Sequence, residues 1–304
     1  MGHNQTVVRL AVVVPATNRP YTLDTCLRAI DRAAEPPDEV IVVERPHRAA
    51  PAEARNLGAE QTEADVLVFV DADVEVHDDV FTKIRARFGN DPSLVALFGS
   101  YDDDPGAAGP VSSFRNLLHH HVHQSSPGPA VTFWAGLGAI RRGAFEAAGG
   151  FSDHPIEDIE LGMRLAGGGA KIVLDPEIRG KHLKRWTLPS MVRTDFAIRG
   201  VPWVDLLLQH RSSASHLNLS WRHRLSALAA LSVAVALVKR RPAVAAGSLV
   251  VLVMLNRSFY SLMLRRRGPA ETFAGVGLHV IHHLTSVAAV PVGTLKYLRN
   301  RRAR

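Results

Sequence analysis

Asp71-Ala72-Asp73 closes the apolar run Val66–Val70. Two carboxylates at this spacing repel each other unless a cation joins them. Hard oxygen donors at a strand end suit Mg²⁺ or Mn²⁺ holding a diphosphate, although a solvated turn has the same pattern. A second acidic pair, Glu157-Asp158, opens a segment that Leu161, Arg164 and Leu165 continue at helical spacing. Such a pair can take up a proton, or it can simply favour a helix N-terminus. Lys181-His182-Leu183-Lys184-Arg185-Trp186 sets cations beside an imidazole and an indole. These groups can clamp phosphate, complete a metal site and stack on a ring; a basic stretch beside a membrane, with an interfacial Trp, reads the same way. His119 and His123 stand four residues apart on one helix face, as zinc ligands can, and equally as acceptor-site lining or polar helix surface. Asp102-Asp103-Asp104, before Pro105-Gly106, reads as an exposed loop.

The elements that must position these groups alternate in kind. Val7–Val14, Glu39–Val43, Val66–Val70 and Leu94–Phe98 are β-branched or apolar runs of strand length. Helical patterns separate them: Leu23, Leu27 and Ile30; then roughly Pro51–Thr62; then a helix capped by Asp78-Asp79 and reaching about Phe88. This rhythm predicts an α/β fold with a mostly parallel sheet covered by helices. Such folds bind ligands beyond the carboxyl ends of their strands, where Thr17-Asn18-Arg19, Glu44-Arg45 and Asp71-Ala72-Asp73 fall.

Charge divides the 304 residues. Residues 1–180 carry 16 Lys and Arg against 26 Asp and Glu, net −10; residues 181–304 carry 20 against 3, net +17. With 46% hydrophobic residues the chain is not disordered, and the single Cys26 excludes a disulfide scaffold. Leu188–His210 mixes Leu, Val, Phe196 and Trp203 with Arg193 and Arg199, and Arg211 follows, as in an interfacial amphipathic helix. Leu225–Val238 and Ala243–Asn256 are 14-residue runs without charge, and Thr272–Leu295 is 24 residues without Asp, Glu, Lys or Arg. Only the last reaches the roughly 20 residues that a spanning helix needs; the second extends to Leu264 if Arg257 is tolerated. Basic clusters at the run ends, including Arg265-Arg266-Arg267 and Arg299–Arg304, suit cytoplasmic headgroups. The expectation is a protein of the cell (inner) membrane with its first half in the cytoplasm. Basic residues interleaved with apolar runs, not with groove-lining aromatics, argue against a nucleic-acid partner. No G-x-G-x-x-G or G-x-x-x-x-G-K-[ST] motif is present, which disfavours a dinucleotide oxidoreductase and a P-loop NTPase.

Taken in order, these pieces resemble the family 2 glycosyltransferases, inverting enzymes of the GT-A fold. The carriers are VVVPATNRP, EVIVVE, Ala54-Arg55-Asn56-Leu57-Gly58, VFVDADV, Phe133-Trp134-Ala135-Gly136 with Ala139-Ile140-Arg141-Arg142, IEDIELGMRL and His182-Leu183-Lys184-Arg185-Trp186. Two positions depart from the family pattern: Glu44 for the usual Asp, and His182 for the Gln of a Q-x-x-R-W box. The resemblance, which covers about residues 7–200, implies residues 1–187 as the catalytic domain; the apolar runs and basic clusters suggest 188–224 as amphipathic helix and linker and 225–304 as two or three membrane helices. It implies Asp158 as general base assisted by Glu157. Pro15, Thr17, Asn18, Arg19, Glu44, Arg55, Asp71 and Arg185 would hold the nucleotide-sugar donor. Trp134, Gly136 and Trp186 would face the acceptor, and Asp73, Asp71 and His182 would hold Mg²⁺ or Mn²⁺. The acceptor would be a lipid or membrane-delivered hydroxyl or phosphate, and a homo-oligomer stays open. The alternatives are a processive polysaccharide synthase, a catalytically silent membrane scaffold, which would need none of these acids, and a sugar-phosphate nucleotidyltransferase, which would want a Gly-rich loop after the first strand.

Overall fold

The computed structural model describes residues 8–210 and 221–303. Val7, Arg211 and Arg304, used in the sequence reading, lie outside them, as do all of residues 211–220 of the expected 188–224 helix and linker. The chain forms two compact units, Met1–Asp102 with His123–Lys184, and Asp103–Val122 with Arg185–Arg304.

The first unit is an eight-stranded sheet in the order β2-β1-β3-β7-β5-β8-β4, with β6 paired to β8. The strands are β1 (Leu10–Pro15), β2 (Glu39–Val43), β3 (Val66–Val70), β4 (Val74–Val76), β5 (Leu94–Tyr101), β6 (Gly128–Ala130), β7 (Leu137–Arg141) and β8 (Lys171–His182). Between them run helices α1 (Leu23–Asp31), α2 (Pro51–Ala59), α3 (Val80–Asn90), α4 (Pro110–Gln124), α5 (Arg142–Ala147) and α6 (Glu157–Gly167). Leu10–Val14 and all of β3 are fully shielded from solvent, which requires cover on both sheet faces.

The expected α/β class stands, with one correction: the sheet is mixed rather than mostly parallel. β1–β2, β1–β3 and β5–β8 are parallel, whereas β3–β7, β5–β7, β4–β8 and β6–β8 are antiparallel. β7 is entered from residues 131–136, without a crossover helix, so it can run against both neighbours. The expected cap on α3 also differs. The Asp79 side chain makes no cap hydrogen bond and instead pairs with Lys83 at 2.7 Å.

Two packing details seat the helices under the acidic strand end. Phe69 of β3 meets Phe151 edge-on at 5.0 Å and Phe145 at 5.6 Å. On α6, Gly162 lies so close to the Thr132–Phe133 backbone that a Cβ there would overlap it, so this helix reaches its position only with glycine.

The second unit is helical. It holds most of α4, then α7 (Leu188–Arg193), a π-helical stretch (Thr194–Gly200), α8 (Val201–His210), α9 (Trp221–Val238), α10 (Pro242–Leu255) and α11 (Arg257–Ala303). Phe114, Leu117, Met191, Phe259 and Met263 form its core. The segment read as one amphipathic helix thus carries a π-helical turn, and it points an acid inward. Asp195 is buried 2.8 Å from the Arg115 guanidinium and 2.8 Å from His282 Nδ1. The possible 22-residue span Ala243–Leu264 does not form. α10 ends at Leu255, and the Asn256 amide donates to Ser226 Oγ at 2.9 Å. α11 is broken at Gly268, whose φ of +76° suits glycine. α9 and α11 are long and apolar enough to cross a bilayer. Their outer faces expose Leu228 (62%), Leu237 (61%) and Phe273 (83%).

Candidate active site

Helix α2 supplies the centre of the site. Arg55 is 5% exposed, and its guanidinium bridges two acids, donating to Asp71 Oδ1 at 2.7 Å and to Glu157 Oε1 at 2.6 Å. Burial opposes the charge on Arg55, but Asp71, Glu157 and Asp158 outweigh it and raise the pKa further. Its neighbour Asn56 exchanges hydrogen bonds with the Phe151 backbone at 2.8 and 2.9 Å, fixing the turn before α6. The A-R-N-x-G motif is therefore a clamp that draws α6 to the end of β3. Arg55, expected among the donor-binding residues, reaches a ligand only through the acids it holds.

Those acids differ in environment. Burial raises the Asp71 carboxyl, with Arg55 opposing and Asp73 adding to the rise. Burial also raises Glu157, with Asp158 adding and Arg55 opposing. Asp73 ends below its ordinary value, because His182 and Lys184 outweigh the cost of its burial. Asp158 is buried, accepting from the Ile159 N–H at 2.8 Å and, more weakly, from the Ala135 N–H at 3.5 Å. Neither acid caps α6, whose N-cap position is Ile156 without a side-chain bond.

Backbone bonds hold the D-x-D segment. Asp71 N–H donates to the Gly136 carbonyl at 3.0 Å, and Leu183 N–H donates to the Asp73 carbonyl at 2.8 Å. The second bond, with the β4–β8 pairing of Val74 with His182, brings His182 Nε2 to 3.7 Å from Asp73 Oδ2. An imidazole nitrogen and a carboxylate oxygen are donors that Mg²⁺ or Mn²⁺ accepts, so this pair would hold one of these ions. Asp71 is committed to Arg55, and among the described residues no three His, Cys, Asp or Glu side chains converge. Diphosphate oxygens and water would fill the remaining positions, as is usual for hard ions. The buried Cys26 thiol beneath Asp71 is pushed up to about 12 by burial and then by Asp71 and Asp73, so it stays protonated.

Residues 24–149 match the sequence profile of Glycosyl transferase family 2. This segment of the chain is similar to the family 2 glycosyltransferases. Two curated Mycobacterium tuberculosis proteins, each named "Pre-mycofactocin glycosyltransferase" (strains CDC 1551 / Oshkosh and ATCC 25618 / H37Rv), are 25% identical over 294 residues, covering 86% of this chain. The chain spans 62% of the length of these relatives. A solved structure, the mannosyltransferase PcManGT of Pyrobaculum calidifontis in complex with GDP-Man and Mn²⁺, is similar with a TM-score of 0.52. It is 16% identical and covers 98% of this chain and 89% of its own, a likeness of fold. Arg55, Asp71, Asp73 and Trp134 lie inside the matched segment; Glu157, Asp158 and His182 lie beyond it.

The other expected site residues are distributed unevenly. Arg19 and Glu44 face each other at 3.7 Å, and together with Arg45, Pro46 and His47 they line a cavity of about 410 Å³. Pro15 ends β1 beside them, Asn18 is exposed, and Thr17 Oγ1 donates to the Ala49 carbonyl at 2.9 Å, fixing this loop. Trp134 is only 7% exposed and meets the Tyr101 ring edge-on at 4.9 Å. It is a brace rather than an open stacking surface for an acceptor. Arg185 and Trp186 fall in the second unit, where the Arg115 guanidinium lies 4.9 Å over the Trp186 ring. Arg141 donates to the carbonyls of Phe88, Asp91 and Leu94, and Arg142 pairs with Glu63 and Glu146, so both are structural.

The histidine and acidic runs also resolve. His123 Nδ1 lies 2.9 Å from the Gly99 carbonyl, and the ring packs on Phe98 and Trp134. Asp102 is buried beside His77 at 3.1 Å, while Asp103 accepts from Arg266 at 2.8 Å and Asp104 faces Arg267 at 3.9 Å. The triple-acid segment is therefore not a free loop; each carboxylate meets a base. Sequence reading missed Tyr101, whose ring stacks on His182 at 4.1 Å. No local pattern signals a contact between strands 81 residues apart.

Proposed function

We propose that this protein is an inverting glycosyltransferase. It moves a sugar from a nucleotide-diphosphate sugar to a hydroxyl or phosphate of a lipid or membrane-delivered acceptor. The arrangement that carries this reading is Arg55 tying Asp71 to Glu157, which sets Asp158 and the Asp73–His182 pair into one constellation. The relatives' printed names and the nucleotide-sugar complex of the structural neighbour support it.

In this reading Asp158 takes the proton of the acceptor hydroxyl as it attacks the anomeric carbon, from the face opposite the leaving diphosphate. Glu157, held by Arg55, keeps Asp158 in place in the first turn of α6. Asp73 and His182 would hold Mg²⁺ or Mn²⁺, which would supply positive charge for the leaving diphosphate. Lys184, close enough to Asp73 to lower its pKa, adds positive charge at the same end of the site. The cavity at Arg19 and Glu44 receives the nucleotide.

The deciding experiment screens nucleotide sugars with the full chain and a native lipid extract, following release of nucleotide diphosphate. One donor should give release that EDTA stops and Mn²⁺ restores; undiminished release in EDTA would count against the metal role. Asp73→Asn should raise the metal concentration needed for half-maximal turnover by about tenfold or more, since it removes the charged ligand. Because one donor is an imidazole nitrogen, Mn²⁺ should support turnover at lower concentration than Mg²⁺.

The exposed apolar faces of α9 and α11 and the basic clusters beside them support a seat in the cell (inner) membrane, with the sheet unit in the cytoplasm. The full chain should resist extraction from membranes by alkaline carbonate and yield to detergent. Release by carbonate alone would overturn the spanning assignment.

A further inference from the structure

The metal reading above asks His182 to present Nε2 in one direction, and nothing in the histidine itself ensures that. The torsion between Cβ and an imidazole ring is broad and roughly two-fold, so its neighbours must set the ring plane. Backbone bonds place His182 accurately. Val74 pairs with it across β4–β8, and Leu183 N–H donates to the Asp73 carbonyl. These bonds fix the backbone and do not by themselves set the ring plane.

What limits the ring is Tyr101, the last residue of β5. It pairs with Gly180 of β8, two residues before His182. Its ring lies parallel to the imidazole, with centroids 4.1 Å apart and planes inclined by 10°. Tyr101 is in turn held edge-on by Trp134 at 4.9 Å and 85°, and Trp134 by His123 at 5.5 Å and 89°. Turning the imidazole by tens of degrees would drive its edge into the Tyr101 ring, whereas its present plane directs Nε2 to Asp73.

We propose that Tyr101 is a positioning residue of this site: stacked on His182 and braced by Trp134, it fixes the imidazole plane so that His182 and Asp73 grip one divalent ion. This rests on the metal role given to His182 under Proposed function. Groups that orient a ligating imidazole typically change metal affinity by about 10–100-fold when removed.

The test titrates the full chain in detergent with Mn²⁺ alone, without donor. Electron paramagnetic resonance measures affinity, and electron spin echo modulation from a coordinated ¹⁴N reports imidazole ligation. Wild type should bind Mn²⁺ with ¹⁴N modulation, and His182→Ala should bind it weakly without modulation. Tyr101→Leu should weaken Mn²⁺ by about tenfold and reduce the ¹⁴N signal, while Tyr101→Phe, which keeps the flat ring, should match wild type in both. If Tyr101→Leu does not fold, Trp134→Phe, which loosens the brace, should move both readouts the same way to a lesser extent. Wild-type affinity and ¹⁴N modulation in Tyr101→Leu, or in Trp134→Phe where that variant stands in, would overturn the role of Tyr101 and leave the metal reading intact. Absence of ¹⁴N modulation in wild type, or no change in His182→Ala, would overturn the metal role of His182 and the Tyr101 proposal with it.

Discussion

Arg55→Ala is expected to destabilise the sheet unit by about 3–5 kcal/mol, the usual cost of removing one partner from a buried ion pair. The guanidinium has 6% side-chain exposure and serves Asp71 and Glu157 together. Without it, two carboxylates that burial already raises face each other uncompensated. Thermal unfolding in detergent should show a midpoint lower by roughly 10 °C. The deficit has a predictable sign in pH. A carboxyl whose folded pKa lies above its unfolded one loses stability as pH rises from the unfolded to the folded value. The gap to wild type should therefore widen as pH rises and narrow as pH falls and Asp71 and Glu157 take up protons. A pH-independent deficit would mean that lost packing on Phe151, 5.5 Å from the guanidinium carbon, dominates. Arg55→Lys, which keeps a charge but not the two-armed grip, should fall between the two.

Asp158→Asn is the counterpart on the chemical step. General-base catalysis contributes about 10²–10⁴-fold, so kcat should fall by at least about two decades while metal-supported donor binding persists. Glu157→Gln should cost less and act mainly on the acceptor term, because the Gln carbonyl can still accept from Arg55. A purely structural Asp158 predicts a different result. Its strong contact is to the Ile159 N–H, which an Asn oxygen accepts equally well, so turnover would stay near normal. Single-turnover rates at saturating donor separate the two outcomes.

The sequence by itself determined the elements whose pattern is local. Leu10–Val14 and Val66–Val70 are uninterrupted apolar runs, and a strand buried on both faces demands such composition. The helices α1, α2 and α3 carry helical spacing or Pro and acidic starts, and they form within a few residues of the expected bounds. The acids at 71, 73, 157 and 158 were visible as pairs because carboxylates are rarely grouped beside apolar runs without a cation or a helix end to justify them. The charge reversal near residue 180 lies close to the Lys184–Arg185 boundary between the two units.

Tertiary structure decided everything that depends on partners distant in the chain. β7 and β8 hold Gly138, Pro176 and Gly180 in place of a clean alternation, so only pairing with β3 and β5 makes them strands. Arg55 became a clamp because folding brings residue 157 to residue 55, a separation of 102 positions. Trp134 became a brace, and Asp102 a buried partner of His77, because the sheet brings together segments that flank its strands. A side chain's type states which bonds it can make; which of them it makes depends on what else is excluded from water at the same place, and long-range packing alone sets that.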